Sequence, residues 1–146
     1  MKIRLAETKD KQQILSLFDE FSVMFGASDV PSQVGGKIFD EVIHREDTMI
    51  FVAEENEMLV GLATLYLLPN IRHGWRRGHI EDFFTTAAYR GRGLGTALFS
   101  AIKEYCKTNG IKVIKLDSEK DLIEAHGFYE KNGGKFTEKM FRFDIT

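Results

Sequence analysis

A glycine-rich loop between a strand and a helix constrains the fold of this chain more than any other feature. Residues 79–85 read as a strand, and residues 90–95 have the sequence Arg-Gly-Arg-Gly-Leu-Gly. The apolar residues that follow have the i, i+3, i+4, i+7 spacing of one buried helix face: Leu98, Ala101, Ile102, Tyr105 and Cys106. A strand–loop–helix unit points free backbone N–H groups and the positive end of the helix dipole at one spot, so we predict a pyrophosphate site there.

Two common phosphate-binding motifs do not fit this loop. Counted from Gly91, the dinucleotide fingerprint G-x-G-x-x-G requires a third glycine where Thr96 stands. The P-loop motif requires a lysine after its last glycine, but Thr96 follows Gly95. The loop does fit the pattern R-x-x-G-x-G, from Arg90 to Gly95. Taken alone, a tight turn with permissive glycines would explain the same residues.

Three segments, in order, carry a resemblance to a known family. Residues 89–95 resemble the acetyl-CoA pyrophosphate loop of the GNAT N-acetyltransferase superfamily. Residues 3–10 look like that family's opening strand and the entry to its first helix, and Phe-Tyr-Glu-Lys-Asn-Gly at 128–133 looks like its late helical segment. Together these matches span nearly the whole chain, and they are more specific than the glycine loop alone.

Composition and charge favour one domain, residues 1–146, with 43% hydrophobic residues and enough chain for a real core. The net charge of −2 argues against a nucleic-acid-binding protein, which normally has a basic excess. We see no secretory signal and no apolar run that approaches the ~20 residues of a membrane span. The single cysteine, Cys106, can form no internal disulfide. We therefore expect a cytoplasmic protein, and we predict no metal site.

The apolar pattern and its breakers predict the order β-α-α-β-β-β-α-β-α-β. Predicted strands cover 2–6, 48–53, 58–68, 78–85, 112–117 and a closing segment at 136–143. Four helices are predicted. The first begins at Thr8 and has an apolar stripe that ends at Phe25, and the second begins at Pro31. The third and fourth cover 93–108 and 122–131. Mixed order predicts an α/β fold with a mixed central sheet and helices on both faces. This agrees with the GNAT fold, and the resemblance adds splayed fourth and fifth strands.

The resemblance also implies where acetyl-CoA binds. Its pantetheine arm would pair with the fourth strand through main-chain atoms of Phe83, Phe84 and Thr85, because the splay leaves backbone groups open. Its pyrophosphate would be held by the main-chain amides of the loop and the following helical turn, at Gly91, Arg92, Gly93, Leu94, Gly95 and Thr96. The side chains of Arg90 and Arg92 would add positive charge nearby.

Family chemistry is the direct transfer of an acetyl group from a thioester to an amine. A primary amine with a pKa of ~10.4 must lose a proton, and the departing thiolate benefits from a hydrogen-bond donor. The resemblance assigns that donor to Tyr129. Strict alternation places four side chains on one face of the fourth strand: His79, Glu81, Phe83 and Thr85. Our candidate bases are Glu81, then His79, then Asp117, with a water chain as the alternative.

Two departures from the family pattern concern the late helix. Leu122 stands where relatives often have an asparagine. A side-chain contact to the cofactor is therefore missing or comes from elsewhere, for example from Ser118. Gly133-Gly134 replaces the usual Gly-Phe, so we expect the turn after this helix to differ.

The acceptor amine is the least constrained part of the prediction. Residues 78–82 and 128–131 are locally similar to the glucosamine 6-phosphate N-acetyltransferases. The basic, aromatic loop predicted at 71–77 would suit a phosphorylated or otherwise anionic amine, although a solvated loop or a subunit interface would explain the same residues. A non-catalytic acyl-CoA sensor is the alternative function, and it would need neither Tyr129 nor a base. A homodimer is compatible with the alternating closing segment but is not required by it.

Overall fold

The computed structural model describes residues 1–24, 26 and 32–145, with the backbone alone for 32–34. Its strands are β1 (Lys2–Leu5), β2 (Thr48–Glu55), β3 (Met58–Asn70), β4 (Trp75–Thr85) and β5 (Ile114–Leu116). Its helices are α1 (Lys11–Met24), α2 (Ser32–Val42), α3 (Leu94–Thr108) and α4 (Ile123–Lys131). The chain forms two compact units, Met1–Lys115 and a second that begins at Leu116. The positions predicted for Phe25 and Pro31 lie outside the described residues.

The strands form one mixed sheet in the order β1-β2-β3-β4-β5, which confirms the predicted fold class. Strands β1 to β4 pair antiparallel with their neighbours. The N–H of Gly78 in β4 donates to the carbonyl of Val113, next to β5, at 2.9 Å. The turn between β2 and β3 is centred on Asn56 and Glu57, which both have positive φ angles, 49° and 64°. Positive φ at both central residues is typical of a tight two-residue hairpin.

The two faces of the sheet bury different helices, as the sequence predicts. On β2, Ile50 and Val52 belong to a buried cluster with α1 and α2, whose other members include Ile14, Leu17, Phe39, Leu62 and Phe84. Phe51, between them, packs against Tyr105 of α3, with ring centroids 5.6 Å apart. Because successive side chains of a strand point to opposite faces, these contacts place α1 and α2 on one face and α3 on the other.

A buried ion pair fixes the start of α1 against the sheet. Arg4 of β1 donates to both carboxylate oxygens of Asp10, at 2.7 and 2.9 Å, and to Glu54 of β2 at 2.6 Å. The same Asp10 carboxylate accepts the N–H of Glu7 at 2.7 Å, which caps the turn that leads into α1. The hydrogen bond from Arg4 lowers the pKa of Asp10, so the pair is retained at neutral pH.

The prediction of a closing strand at 136–143 is wrong. Within the second unit, residues 135–145 form no strand or helix, and five large apolar side chains there are exposed: Phe136, Met140, Phe141, Phe143 and Ile145. Alternation of apolar and polar residues predicts a two-faced strand but says nothing about its hydrogen-bonding partner. The pattern is therefore compatible with an extended segment that joins no ladder.

Of the basic segment predicted as a loop at 71–77, four residues form a turn and the last three belong to a strand. Only residues 71–74 form the turn, because Gly74, at φ +67°, donates its N–H to the carbonyl of Asn70 at 2.9 Å and closes the hairpin. Strand β3 therefore runs through Pro69, which faces Arg76 in the pairing of β3 with β4. As a result, Trp75, Arg76 and Arg77 begin β4 and alternate between the two faces of the sheet.

Candidate active site

The glycine loop owes its shape to two left-handed residues. Gly91 has φ +72°, and Gly93, which precedes α3, has φ +78°. A Cβ atom added to either glycine would meet no other atom within 4 Å. Space is therefore not the reason for glycine at these positions. The reason is the left-handed backbone conformation, because residues other than glycine adopt it at a cost of about 1–2 kcal/mol.

Main-chain donors without a protein acceptor lie at the start of α3. The first helical hydrogen bond runs from the N–H of Ala97 to the carbonyl of Gly93, at 3.0 Å. In the part of the chain that the structure describes, no protein group accepts from the N–H groups of residues 91–96. These donors stand at the N-terminus of a 15-residue helix, where the helix dipole adds positive potential. An anion of several oxygens suits such a site.

The two arginines of the loop lie against neighbouring elements. Arg90 donates from Nε to the carbonyl of Thr85 at 3.2 Å and from Nη2 to the sulfur of Met24 at 2.8 Å. It thereby ties the loop to β4 and to the C-terminal end of α1. The Arg92 guanidinium lies 5.3 Å from the ring centroid of Tyr89. The contribution of these two charges to cofactor binding stays a prediction.

Strand β4 contains a bulge in its pairing with β3. Ala63 faces Phe83, and Leu65 faces Ile80, so two steps along β3 correspond to three along β4. The extra residue of β4 lies opposite Thr64. A β-bulge interrupts the alternation of side chains, and residues on its two sides no longer follow one period of two.

The bulge overturns the predicted shared face of the fourth strand. Before the bulge, a Cβ on Gly78 would lie 3.7 Å from the sulfur of Cys106 in α3, so His79 points to the opposite face, that of α1 and α2. Beyond the bulge, Phe83 packs against Phe99 of α3, with ring centroids 6.1 Å apart.

Phe84 and Thr85 follow the new alternation. Phe84 packs against Phe21 of α1 at 5.2 Å between ring centroids, and a Cβ on Gly61 would touch the side chains of both Thr85 and Leu94, the first residue of α3. The predicted set therefore divides. His79 and Glu81 lie on the α1 side, whereas Phe83 and Thr85 lie on the α3 side.

Polar side chains gather on the α1 side of the bulge. His79 Nε2 lies 3.1 Å from Glu81 Oε2, and His79 faces Tyr66 across the strand pair. The hydroxyl of Thr64 donates to Asp82 Oδ2 at 2.6 Å and accepts the N–H of Asp82 at 3.0 Å. We call these five residues, Thr64, Tyr66, His79, Glu81 and Asp82, the β4 polar cluster.

Asp82 is the member that sequence reasoning missed. Alternation alone would send it to the face opposite Glu81, and only the extra residue brings both carboxylates to one side. Burial raises the pKa of Asp82 above its usual range, while the hydrogen bond from Thr64 acts in the opposite direction. Two adjacent polar residues between Ile80 and Phe83 were the signal, because a regular half-buried strand does not place a polar pair there.

Tyr129 lies on α4 in the second unit, where its half-buried position raises the pKa of its hydroxyl. The end of α4 fixes its backbone: the N–H of Gly134 donates to the Tyr129 carbonyl at 2.9 Å, and that of Gly133 donates to Glu130 at 3.0 Å. Gly133 has φ +92°, and a Cβ on Gly134 would lie 2.8 Å from the Tyr129 carbonyl oxygen. This pattern is a Schellman helix end, and it explains the departure to Gly-Gly at this turn.

Two further candidates also belong to the second unit. Asp117, the third candidate base, is exposed. The hydroxyl oxygen of Ser118 is buried, and among the described residues it has no hydrogen-bond partner. A buried hydroxyl without a partner is uncommon, so the suggestion that Ser118 contacts a ligand stays open as a prediction.

Comparison with known proteins identifies the family. The model of the acetyltransferase (GNAT) family matches residues 12–134. The chain belongs to the GNAT family. This N-acetyltransferase is 32% identical over 135 residues to the uncharacterized N-acetyltransferase YhfO of Bacillus subtilis, with 91% of this chain and 89% of that protein covered.

Two further GNAT relatives come from Trypanosoma brucei. The glucosamine 6-phosphate N-acetyltransferase of Trypanosoma brucei brucei is 39% identical over 99 residues, which cover 67% of this chain and 65% of that protein. The crystal structure of a Trypanosoma brucei acetyltransferase matches with a TM-score of 0.80 and 28% identity, and the match covers 99% of each chain.

None of the described helices combines the length and the apolar character that a membrane span requires. Nowhere in residues 1–24, 26 and 32–145 do three or more histidine, cysteine, aspartate or glutamate side chains group in a way that could hold a metal ion.

The glycine loop offers a matched test, because Gly93 and Gly110 stand near the two ends of α3. Both have left-handed φ angles, +78° and +70°, and neither has an atom within 4 Å of an added Cβ. We expect Gly93→Ala and Gly110→Ala to lower the free energy of unfolding equally, by about 1 kcal/mol. Only Gly93→Ala should raise the KM for acetyl-CoA, by about tenfold, since it alone disturbs the main-chain donors at the start of α3. Denaturant unfolding and steady-state kinetics measure the two effects, and equal KM changes would contradict the assignment of the loop.

Proposed function

We propose that this N-acetyltransferase moves the acetyl group of acetyl-CoA directly to the primary amine of a small acceptor that carries a phosphate or another anionic group. The observation that supports this proposal most is the set of main-chain donors at residues 91–96, which follows β4 in the chain and lies at the start of α3. It supports a diphosphate site of the kind that acetyl-CoA needs. The glucosamine 6-phosphate relative supports the phosphorylated acceptor.

The pantetheine arm runs along β4 in this proposal. The side chain of Phe83 packs against α3, and that of Phe84 packs against α1 on the opposite face of the sheet. These two residues, like Thr85, therefore offer the cofactor their main-chain atoms. One edge of β4 pairs with β3, and β5, at three residues, is too short to pair with all eleven residues of β4. A ligand with amide groups can satisfy backbone donors and acceptors in the manner of an added strand.

The acceptor loses one proton before it attacks. A carboxylate of the β4 polar cluster takes it, directly or through water, and Glu81 and Asp82 lie side by side there. The nitrogen then forms a bond to the acetyl carbon while the bond from that carbon to sulfur breaks. Tyr129 protonates the sulfur, and the second proton of the nitrogen restores the Tyr129 hydroxyl. Burial raises the pKa of Tyr129, so the hydroxyl carries its proton at neutral pH, as an acid must before it donates.

Arg77 is the proposed contact for the anionic group of the acceptor. The pairing from Leu68–Arg77 to Leu65–Ile80 is uninterrupted, so Arg77 shares the face of His79 and Glu81. Arg77 is half-buried, and no described residue accepts a hydrogen bond from its guanidinium or forms an ion pair with it. Arginine binds phosphate through two parallel hydrogen bonds, which suits an acceptor that must be oriented.

Ligand-induced stabilisation and a panel of amines test the proposed function. Acetyl-CoA or CoA at 100 times its Kd should raise the Tm by roughly 5–10 °C, whereas ATP and NAD should not. With acetyl-CoA, thiol release should be fastest for a phosphorylated primary amine. Stabilisation by ATP or NAD alone would refute the assignment of the loop. Binding of acetyl-CoA without thiol release from any amine would instead leave a non-catalytic sensor.

A tyrosine pair tests the acid. Tyr129→Phe should lower kcat by about a hundredfold and leave the KM for acetyl-CoA unchanged, because the hydroxyl acts on the leaving sulfur. Tyr105→Phe is the control: burial also raises the pKa of Tyr105, but its ring packs against Phe51 in the α3 core. Since the acid works only while protonated, activity of the parent should fall at alkaline pH above the raised pKa of Tyr129. Equal kcat values for both variants would remove Tyr129 from the mechanism.

Neighbouring arginines test the acceptor site. Arg76 is exposed, lies on the opposite face from Arg77, and donates to the carbonyl of Leu67 at 3.3 Å. Arg77→Ala should lower kcat/KM for a phosphorylated amine at least tenfold and change that for its unphosphorylated analogue by less than threefold, in rough terms. Arg76→Ala, which removes the same charge, should leave both values nearly unchanged. Similar losses for the two variants would show that only overall charge matters.

A further inference from the structure

We propose that Asp82, and not Glu81, is the carboxylate that removes the proton from the acceptor amine. This assignment rests on the proposed N-acetyltransferase function and names the proton acceptor within it. The extra residue of β4 opposite Thr64 brings Asp82 onto the same face as Glu81. In a strand without the bulge, the Asp82 side chain would point toward α3.

The carboxylates of Glu81 and Asp82 differ in their exposure and in their contacts with other side chains. The side chain of Glu81 is 61% exposed, and its Oε2 lies 3.1 Å from His79 Nε2. Asp82 is half-buried, and its Oδ2 accepts the Thr64 hydroxyl at 2.6 Å. Among the described residues, none donates a hydrogen bond to Asp82 Oδ1. One oxygen of Asp82 is therefore fixed by the protein, and the other can receive an amine proton directly or through one water.

The environment makes Asp82 a stronger base than an exposed aspartate. Burial raises its pKa most, and the negative charge of Glu81 raises it further, against the hydrogen bond from Thr64. From β3, Tyr66 faces the same carboxylate, and its pKa is raised by burial and then by Asp82. An ordinary aspartate, with a pKa of ~3.9, is poorly matched to an ammonium group of ~10.4, so each upward step improves proton transfer.

The step itself is a simple proton transfer. One N–H bond of the ammonium group breaks, and its electron pair stays on nitrogen. The proton bonds to Asp82 Oδ1, so the carboxylate becomes a carboxylic acid and later releases the proton to solvent. The neutral amine then attacks the thioester, and the remaining bond changes are those of the acetyl transfer.

Two isosteric variants separate Asp82 from Glu81. With the best phosphorylated amine, Asp82→Asn should lower kcat by at least about a hundredfold without changing the KM for acetyl-CoA. Its kcat/KM should then rise with pH toward the pKa of the amine, because only free amine reacts. The parent should instead level off above the pKa of Asp82. Glu81→Gln should lower kcat much less than Asp82→Asn does, and its profile should still level off at alkaline pH, because Asp82 remains to accept the proton.

Thr64 gives a readout that a purely structural role would not move. Its hydrogen bond lowers the pKa of Asp82, so Thr64→Val should shift the acid side of the kcat/KM profile to higher pH. Thr64→Ser, which keeps the hydroxyl, should restore the parent profile. An unchanged profile in Thr64→Val, or a loss of rate in Glu81→Gln with full activity in Asp82→Asn, would overturn the assignment.

Stability measurements distinguish lost chemistry from lost folding. Because the folded-state pKa of Asp82 is raised, its contribution to stability is present at low pH and is lost as the pH rises through that pKa. Asp82→Asn should therefore be at least as stable as the parent at pH 7. A parent that releases no thiol with any amine would refute the proposed function itself. An active parent whose Asp82→Asn variant keeps the rate and the pH profile would refute only the role of Asp82.

Discussion

The extra residue of β4 opposite Thr64 is the constraint on which the candidate site depends. A bulge removes a regular ladder contact, and the backbone group that it frees must find another partner. Here the N–H of Asp82 donates to the Thr64 hydroxyl at 3.0 Å, and that hydroxyl in turn donates to the Asp82 carboxylate at 2.6 Å. One threonine thus satisfies the bulge and orients the acidic side chain. The same irregularity returns Phe83 to the α3 core, so the change of face costs the sheet little apolar burial.

The bulge also connects the chemistry of the cluster to the geometry of the loop. Beyond it, Phe83 and Phe84 are held by aromatic contacts on opposite faces, which fixes the end of β4. Arg90 then ties the loop back to the Thr85 carbonyl and to Met24 of α1. The glycine conformations and the helix start follow directly. Donors that are arranged before the ligand arrives need no reorganisation when negative charge appears, which is the advantage of a main-chain anion site.

Local patterns in the sequence predicted what local geometry determines. The spacing of glycines gave the strand–loop–helix unit because left-handed residues and a helix start are properties of a few consecutive residues. The adjacent polar pair at 81 and 82 signals an irregular strand, but it does not tell which face Asp82 takes, since a bulge depends on a register set with Thr64, eighteen residues earlier in the chain. The prediction of a strand at 136–143 was wrong for a related reason. The alternation of apolar and polar residues specifies two faces, whereas a strand also needs a hydrogen-bonding partner elsewhere in the chain. Arg77 was predicted to lie in a loop because Pro69 suggested the end of a strand, but the pairing of β3 with β4 continues past Pro69.

Neighbouring residues of β4 acquire different chemistry because the strand separates them by face or by burial. Arg76 and Arg77 carry the same charge on opposite faces, whereas Glu81 and Asp82 share a face but differ in exposure and in partners. Along the α1 side, a positive group at residue 77 therefore precedes negative groups at 81 and 82, with about 13 Å of strand between residues 77 and 81. An acceptor with an ammonium group at one end and an anion at the other matches this order of charges. An amine without the anion would meet only half of it, so the strand itself would select and orient the acceptor.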